Sequence, residues 1–472
     1  MSVSALPRLL RDSLRRASTR ARLAVAILGL CLVVVFSGTT VPAGEAGPSA
    51  PVPPSAMPAV LARQKHLAAL GLEPWQAAGA TGKGVKIAIL DTGFHGYHDH
   101  LGKALPAHVT THSFRRDGNM EARDSQHGIL CAEVIHAIAP DAELLLADLD
   151  VDSPDEFLAA VRWAREQGAK IISCSVVMPS CSDGEGGGTV HRDLDALLGS
   201  GSGPHDLLCF ASAGNTIDRH WCGPFHDGGD GFHEWAPGKK DNPLRPWSSE
   251  RVAVHLYSKP GAGYELTVLD AAATPLTQPS PPGAGGRGQG EGGAADREIC
   301  KVQTDDHQTD RVAAVVRFQP EDGHTYRVRV RQTHGPAGSF HLTSMFASVE
   351  YRSPSASVCF PADGSHVVAM GAVDTGGNRQ WYSACGPNSP RPKPDLVATV
   401  PFPSLWRERP FGGTSAAAPQ GAAVAALWWS RHPDWSADHV RSSMKATARD
   451  LAALGHDWET GYGLIQLPKD GF

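Results

Sequence analysis

Four short segments carry residue types that could act on a carbonyl. Asp91-Thr92-Gly93 directly follows an apolar run, and a carboxylate at a strand end can accept an imidazole N–H and fix its tautomer. His127-Gly128 opens a run with helical apolar spacing, and a histidine there can act as general base. Ser212-Ala213-Gly214-Asn215 follows a second apolar run, and the Asn215 amide can donate to a developing oxyanion. Gly412-Gly413-Thr414-Ser415-Ala416-Ala417-Ala418-Pro419 places a serine at a helix start, where first-turn N–H groups and the helix dipole favour an anion. Each segment also has an ordinary reading: a strand-ending turn, a capping histidine, a Gly-Asn turn, a glycine-rich N-cap. Only their combination, in the order Asp, His, Asn, Ser, is specific.

The elements between them alternate. Val85–Leu90, Leu144–Ala147, Ile171–Val177, Leu207–Ser212 and Val367–Ala372 read as strands. Gly128–Ile138, Asp155–Gln167, Ala416–Ser430 and Ala437–Thr447 read as helices. This alternation predicts an α/β fold, a parallel sheet with helices on both faces. Within 216–352 the period changes to two: Val252–Tyr257, Tyr264–Leu269, Ala313–Phe318, Tyr326–Val330 and Phe340–Phe346 are separated by Gly, Pro and Asp turns. That stretch reads as an inserted β-sandwich, separable from its host, with a disordered low-complexity loop at 274–295. The α/β domain then comprises 70–215 and 353–472.

The four segments resemble those of the subtilisin-like (subtilase) serine peptidases, which carry them in this order. Further matches are Thr81-Gly82-Lys83-Gly84-Val85, Ala139-Pro140-Asp141-Ala142, Gly371-Ala372-Val373, Gly386-Pro387, Lys393-Pro394-Asp395-Leu396 and Gly461-Tyr462-Gly463. The resemblance spans nearly all of the α/β domain and none of the insertion. It implies a three-layer subtilisin-like fold and a serine endopeptidase working through an acyl-enzyme. Ser415 would be nucleophile, His127 general base and then acid, and Asp91 the orienting carboxylate. Asn215 and the Ser415 N–H would form the oxyanion hole. Ser175-Val176-Val177 would pair with extended substrate, and Gly214 and Phe360-Pro361-Ala362 would wall the specificity pocket. Two other readings stay open: a catalytically silent relative whose sandwich engages a partner, and a transpeptidase or cyclase on the same fold.

The sequence departs from the family in places. Ile129 and Leu130 stand where Thr and His usually follow His-Gly. Val177 replaces a glycine, which predicts preference for small or medium P1 residues. Ala398-Thr399-Val400 replaces Ala-Pro-Gly. Residues 44–69 are fewer than the folded inhibitory prodomain of many relatives, so the activation route is left open.

With 41% hydrophobic residues the chain can build a large core, and a net charge of -6 with no basic face gives no sign of a nucleic-acid partner. Polypeptide substrates and a monomer are expected. Arg8, Arg11, Arg15, Arg16, Arg20 and Arg22 precede the apolar run 23–36, and Val41-Pro42-Ala43 follows. The segment 1–43 reads as a cleaved Sec-type signal or as an uncleaved membrane anchor, and either predicts export. The Pro- and Ala-rich 44–69 reads as a linker. In an exported chain Cys181, Cys222, Cys300, Cys359 and Cys385 are disulfide candidates, while Cys131, Cys174 and Cys209 read as buried thiols. No cofactor is expected. Relatives often bind structural calcium, but no ligand set stands out. His95, His98, Asp99 and His100 could hold a metal or form a surface loop, and the loop reading is preferred.

Overall fold

The structure, a computed structural model, describes residues 57–272, 297–304, 310–388 and 391–468. The signal or anchor at 1–43 and the loop at 274–295 lie outside the described residues. In chain order, α1 (Met57–Leu70) and α2 (Leu72–Ala77) precede β1 (Lys86–Asp91) and β2 (Thr110–Ser113). Then come α3 (His127–Ile138), β3 (Glu143–Asp148), α4 (Pro154–Glu166), β4 (Ile171–Cys174), α5 (Thr189–Leu198) and β5 (Leu208–Ser212). The insertion holds β6 (His220–Pro224), β7 (Asn242–Pro246), β8 (Val252–Ser258), β9 (Gly263–Ala272) and β10 (Arg297–Gln303). It continues with β11 (Val312–Phe318), β12 (His324–His334), β13 (Ser339–Met345) and β14 (Ala347–Val349). The chain returns through β15 (Val367–Val373), β16 (Leu396–Thr399), α6 (Ala417–Arg431) and α7 (Ala437–Thr447).

Seven strands form one parallel sheet in the order β16-β15-β5-β4-β1-β3-β2. The period-2 geometry of a strand sends alternate side chains to opposite faces. Ile87 and Ile89 of β1 join one apolar cluster with residues of α3 and α6, and Ala88 and Leu90 join a second with residues of α4 and α5. Both faces are therefore covered, as a parallel sheet requires. β1 lies between β4 and β3, so the sheet order turns in both directions at its end. A crevice at such a switch point is where open α/β sheets place their sites, and β1 ends at Asp91.

The insertion forms two antiparallel sheets, β10-β9-β12-β7-β14 and β11-β8-β13-β6. They enclose a third cluster that includes Val254, Leu256, Leu266, Val268, Val328, Val330 and Phe340. β7 carries two prolines, which cannot donate to a ladder. It is accommodated because Asn242–Leu244 pair with β12 while Leu244–Pro246 pair with β14.

Two expectations change. The linker does not extend to residue 69: 57–70 is a helix, fixed by the Arg63 guanidinium, 2.5 Å from Glu133 on α3 and bonded to the Pro403 carbonyl. Nor do the predicted bridges form, since all the described cysteines are free thiols. Cys181 and Cys359 are buried, which pushes their thiols up to about 11 and about 12. Cys222 Sγ instead meets His341 Nε2 at 3.4 Å, and Cys385 Sγ meets the Pro354 carbonyl at 3.2 Å.

Candidate active site

Asp91, at the end of β1, is fully buried. Its carboxylate accepts the Thr92 N–H at 2.8 Å and His127 Nδ1–H at 2.8 Å, with Cys131 Sγ 3.7 Å from the same oxygen as His127. The bond to Nδ1 sets the tautomer and leaves Nε2 free to take a proton. His127 is the first residue of α3, and the helix start is pinned to the Asp91 turn. The Gly128 N–H donates to the Gly93 carbonyl at 2.7 Å, and a Cβ on Gly128 would lie 2.5 Å from the Phe94 ring. Only glycine fits that approach. Burial disfavours the charged imidazolium, but the adjacent Asp91 carboxylate outweighs it and holds the His127 pKa well above the ordinary value.

Ser415 lies in the single 3₁₀ turn Thr414–Ala416 that feeds α6. The turn is entered through Gly413 at φ +81°, and a Cβ there would lie 3.0 Å from Asn215 Nδ2. Ser415 Oγ donates to the Ser175 carbonyl at 3.4 Å and makes no hydrogen bond to His127, although both side chains open on one cleft. Such contacts are often long or absent before substrate binds.

Asn215 follows β5. Its side-chain oxygen accepts the Thr414 N–H at 2.9 Å and the Thr414 hydroxyl at 3.0 Å. A backbone N–H can only donate, so the atom it meets must be the amide oxygen. The Nδ2 hydrogens are thereby turned away from Thr414, and Nδ2 has no partner among the described residues.

The structure thus brings Asp91, His127, Ser415 and Asn215 together. Ser175 joins them: its Oγ donates to the Ser415 carbonyl at 3.0 Å. Val176 is buried and Val177 half-buried just beyond β4. Gly214 is buried, its N–H on Thr414 Oγ1 at 3.2 Å. Phe360 does not face the cleft. It is fully buried between Phe157 and His191, with ring centroids at 5.4 and 4.6 Å, and Pro361 and Ala362 are buried beside it. Its carbonyl accepts the Met178 N–H at 3.0 Å, so this segment shapes the backbone behind Val177 rather than an open wall.

Cys131 is placed by its spacing from His127, whereas several other residues at or near the site join it only in the fold. Cys131 contacts the Asp91 carboxylate because four residues make one helical turn. Asp148 pairs with Asp91 one strand over, and burial pushes its carboxyl up to about 7. Glu133 is buried and accepts Ser404 Oγ at 2.8 Å and the Leu405 N–H at 2.9 Å, tying α3 to the chain that enters the cleft wall. Arg219 and Trp247, from the insertion, line that same cleft. Among the described residues, the group whose ligand atoms fall within 4.8 Å of one another is Asp91, His127 and Cys131. In the His95–His100 loop, His95 Nδ1 meets the Glu121 carbonyl at 3.1 Å and the His100 ring packs on Trp406 at 4.2 Å.

A buried carboxylate, a histidine oriented by it, a serine at a helix start and an amide with free N–H groups thus stand together at the switch point of a parallel sheet. The family model described as "Subtilase family" matches residues 82–233 and 343–463, more than half of the chain. The chain belongs to the subtilase family. It is 35% identical to subtilisin DY of Bacillus licheniformis over 108 residues, 23% of this chain and 38% of that protein. It is likewise 35% identical to alkaline elastase YaB of Bacillus sp. (strain YaB) over 115 residues, 24% of this chain and 29% of that protein. The chain therefore spans less than two fifths of the length of these relatives. Among solved structures, the Clostridium perfringens CspB protease shares the fold with a TM-score of 0.58 at 14% identity, covering 85% of this chain and 95% of that one. Among the described residues no helix is long and apolar enough to cross a membrane.

Proposed function

We propose that the protein is an exported serine endopeptidase in which Ser415 attacks the scissile carbonyl. His127 Nε2 takes the Ser415 hydroxyl proton as the C–O bond forms. Asn215 Nδ2 and the Ser415 N–H receive the charge on the carbonyl oxygen. The tetrahedral adduct collapses with cleavage of the C–N bond, and His127 returns the proton to the leaving amine. Water, deprotonated by the same imidazole, then hydrolyses the acyl-enzyme. Asp91 holds the imidazole in one tautomer and stabilises it when charged. The strand end Ser175-Val176-Val177 offers backbone groups to an extended polypeptide, which favours cleavage within chains. No step calls for a metal or cofactor.

The observation that carries this reading is the His127–Asp91 contact at 2.8 Å in the cleft onto which Ser415 and the unpartnered Asn215 amide also open. Purified protein incubated with unfolded substrate should yield internal fragments by mass mapping. A serine-directed phosphonate should stop the reaction and add its mass to Ser415. Full turnover by a Ser415→Ala variant would exclude the assignment. The raised His127 pKa makes a further prediction. The base must be neutral to act, so kcat/KM should rise with pH and half-saturate above 6.5, the ordinary imidazole value. Asp91→Asn should lower that midpoint as well as the rate.

A further inference from the structure

We infer that the cleft beside Ser415 is a subsite for acidic residues on the leaving-group side of the scissile bond, walled jointly by the insertion and the α/β domain. The inference rests on the triad reading above. The cleft, about 690 Å³, is lined by Arg219, Arg407 and Arg409 together with Trp247, Trp381 and Phe411. No Asp or Glu is among its described lining residues.

The side of the scissile bond follows from the proton. His127 lines this cleft and delivers its proton to the leaving amine, so the departing half of the substrate must run past the imidazole. Ser175, Val176 and Val177, which would pair with the acyl half, are not part of this wall. The cleft therefore receives the residues after the cleaved bond.

The charge is built rather than incidental. Arg219 is held by its backbone, whose N–H donates to the Thr216 carbonyl at 2.9 Å and whose carbonyl accepts the Ser344 N–H at 2.9 Å. Its guanidinium lies over the Trp247 ring at 4.1 Å. That side chain is only 13% exposed, and its Nε is buried without a hydrogen-bond partner. The nearest carboxylate, Asp218, stands 3.8 Å away, beyond hydrogen-bond reach. Burial lowers the Arg219 pKa to about 10, so the cation persists at neutral pH with its desolvation incompletely offset. Neither Arg407 nor Arg409 forms an ion pair among the described residues. A carboxylate entering the cleft would supply the hydrogen-bonded anion that Asp218, at 3.8 Å, does not. Trp381, 67% exposed, and Trp247, 49% exposed, offer apolar faces for the rest of the segment.

Magnitudes separate the buried cation from the exposed one. A charge-assisted bond to the largely buried Arg219 corresponds to about 10- to 100-fold in affinity. A pair with the exposed Arg409 is worth about 2- to 5-fold and is screened by salt. The substrate class is thus polypeptides with Asp or Glu in the first few positions after the cleaved bond.

The test uses the full chain carrying Ser415→Ala, which binds without turnover. Short synthetic peptides with Glu-Glu, Gln-Gln or Lys-Lys after the cleavage position are titrated, with Trp emission or anisotropy as readout. The expected result is about tenfold or tighter binding of the Glu-Glu peptide at low salt, narrowing as salt rises. Arg219→Gln should remove most of the difference and Arg219→Lys should retain part of it. Arg409→Glu, at an exposed position that leaves folding undisturbed, should shift preference toward Lys-Lys. Equal affinities for Glu-Glu and Gln-Gln, or an acidic preference indifferent to both arginine changes, would overturn the inference. So would a preference that appears only when the Glu residues precede the cleaved bond. Failure of the triad reading shows elsewhere, as wild-type protein that neither cleaves any peptide nor takes up phosphonate on Ser415.

Discussion

The inner strands of the parallel sheet are buried along most of their length: β4, β5 and β15 have no exposed residue, and of β1 only Lys86 is part-exposed, whereas the edge strand β2 has no buried residue. In the insertion, β11 alternates buried and half-buried residues from end to end, and β12 does so through its middle. β8 and β13 break that alternation, with runs of buried residues on both faces. The four-stranded sheet containing them is covered on one side by its partner sheet and on the other by the α/β domain. His255 Nδ1 on β8 meets Ser180 Oγ at 3.1 Å, and a Cβ on Gly184 would strike the His341 ring at 2.3 Å. The insertion is thus docked on the segment that follows β4, through a polar seam. Cys222 S–H, His341, His220 and the Ser353 carbonyl form a continuous hydrogen-bonded chain in it, with His341–His220 at 3.0 Å. Asp91 and His127 are positioned by apolar layers, whereas the insertion meets the α/β domain through buried histidines and through ion pairs such as Lys259–Glu185 and Arg192–Asp310. The separability expected from its own strand pattern does not follow. Excision would uncover Cys181, which meets Arg311, and Cys359, which meets Tyr257 and Thr343.

The largest effect that would sharpen this contrast lies entirely in the α/β domain. Ser415→Ala should cost several orders of magnitude in kcat while leaving all three sheets intact by hydrogen exchange. Lost protection in β8 or β13 would show the site and the seam to be one unit. Next is an exception to the apolar rule, the largely buried cluster in which Asp395 accepts Lys393 Nζ at 2.8 Å and Lys445 Nζ at 2.6 Å. Burial opposes the Asp395 charge, but the two lysines overcome it and hold the carboxyl far below its usual range. Asp395→Ala would strand Lys393 and cost about 3–5 kcal/mol in denaturant midpoint analysis. A loss under 1 kcal/mol would mean water reaches that lysine.

Asn215→Ala should lower kcat by about 10²–10³ with KM little changed, a magnitude that comes from the subtilisins themselves. An unaltered kcat would remove the amide from the oxyanion hole. Acid should then act on the seam first. Burial lowers His220 and His255 to about 3 and His341 to about 4. Their unfolded forms bind protons below about 6.5 and the folded forms do not. Stability is therefore lost as pH falls from about 6.5 toward 4. His127, with its raised pKa, works in the opposite sense and loses its contribution as pH rises. Protection factors of the β6, β8 and β13 amides, relative to their intrinsic exchange rates, should fall between pH 7 and pH 5 before those of β1, β4 and β5; simultaneous loss would contradict the contrast. The smallest effect concerns Val177. Val177→Gly should admit larger P1 residues, by about 5- to 150-fold in kcat/KM for aromatics. An unchanged peptide-library profile would place Val177 off the pocket rim.

What the sequence determined by itself is local. β1, α3, β5 and α6 were legible because apolar period and glycine placement act over a few residues, and the four chemical segments sit at their ends. The short strands β2, β6 and β7 were not, being polar or interrupted by proline and gaining their hydrogen bonds only from neighbours distant in sequence. The helix 57–70 was hidden for the same reason: its Ala-rich composition suits a linker equally well until Arg63 meets Glu133. Only the tertiary structure decided that Phe360 packs inward, that the cysteines stay apart, and that Cys131 leans on Asp91. It also decided that Arg219 and Trp247, which their own sequence places in an unrelated insertion, stand beside Ser415. Such placements depend on which surfaces pack together, and burial and charge at a packed surface are properties of the pair, written in neither segment alone.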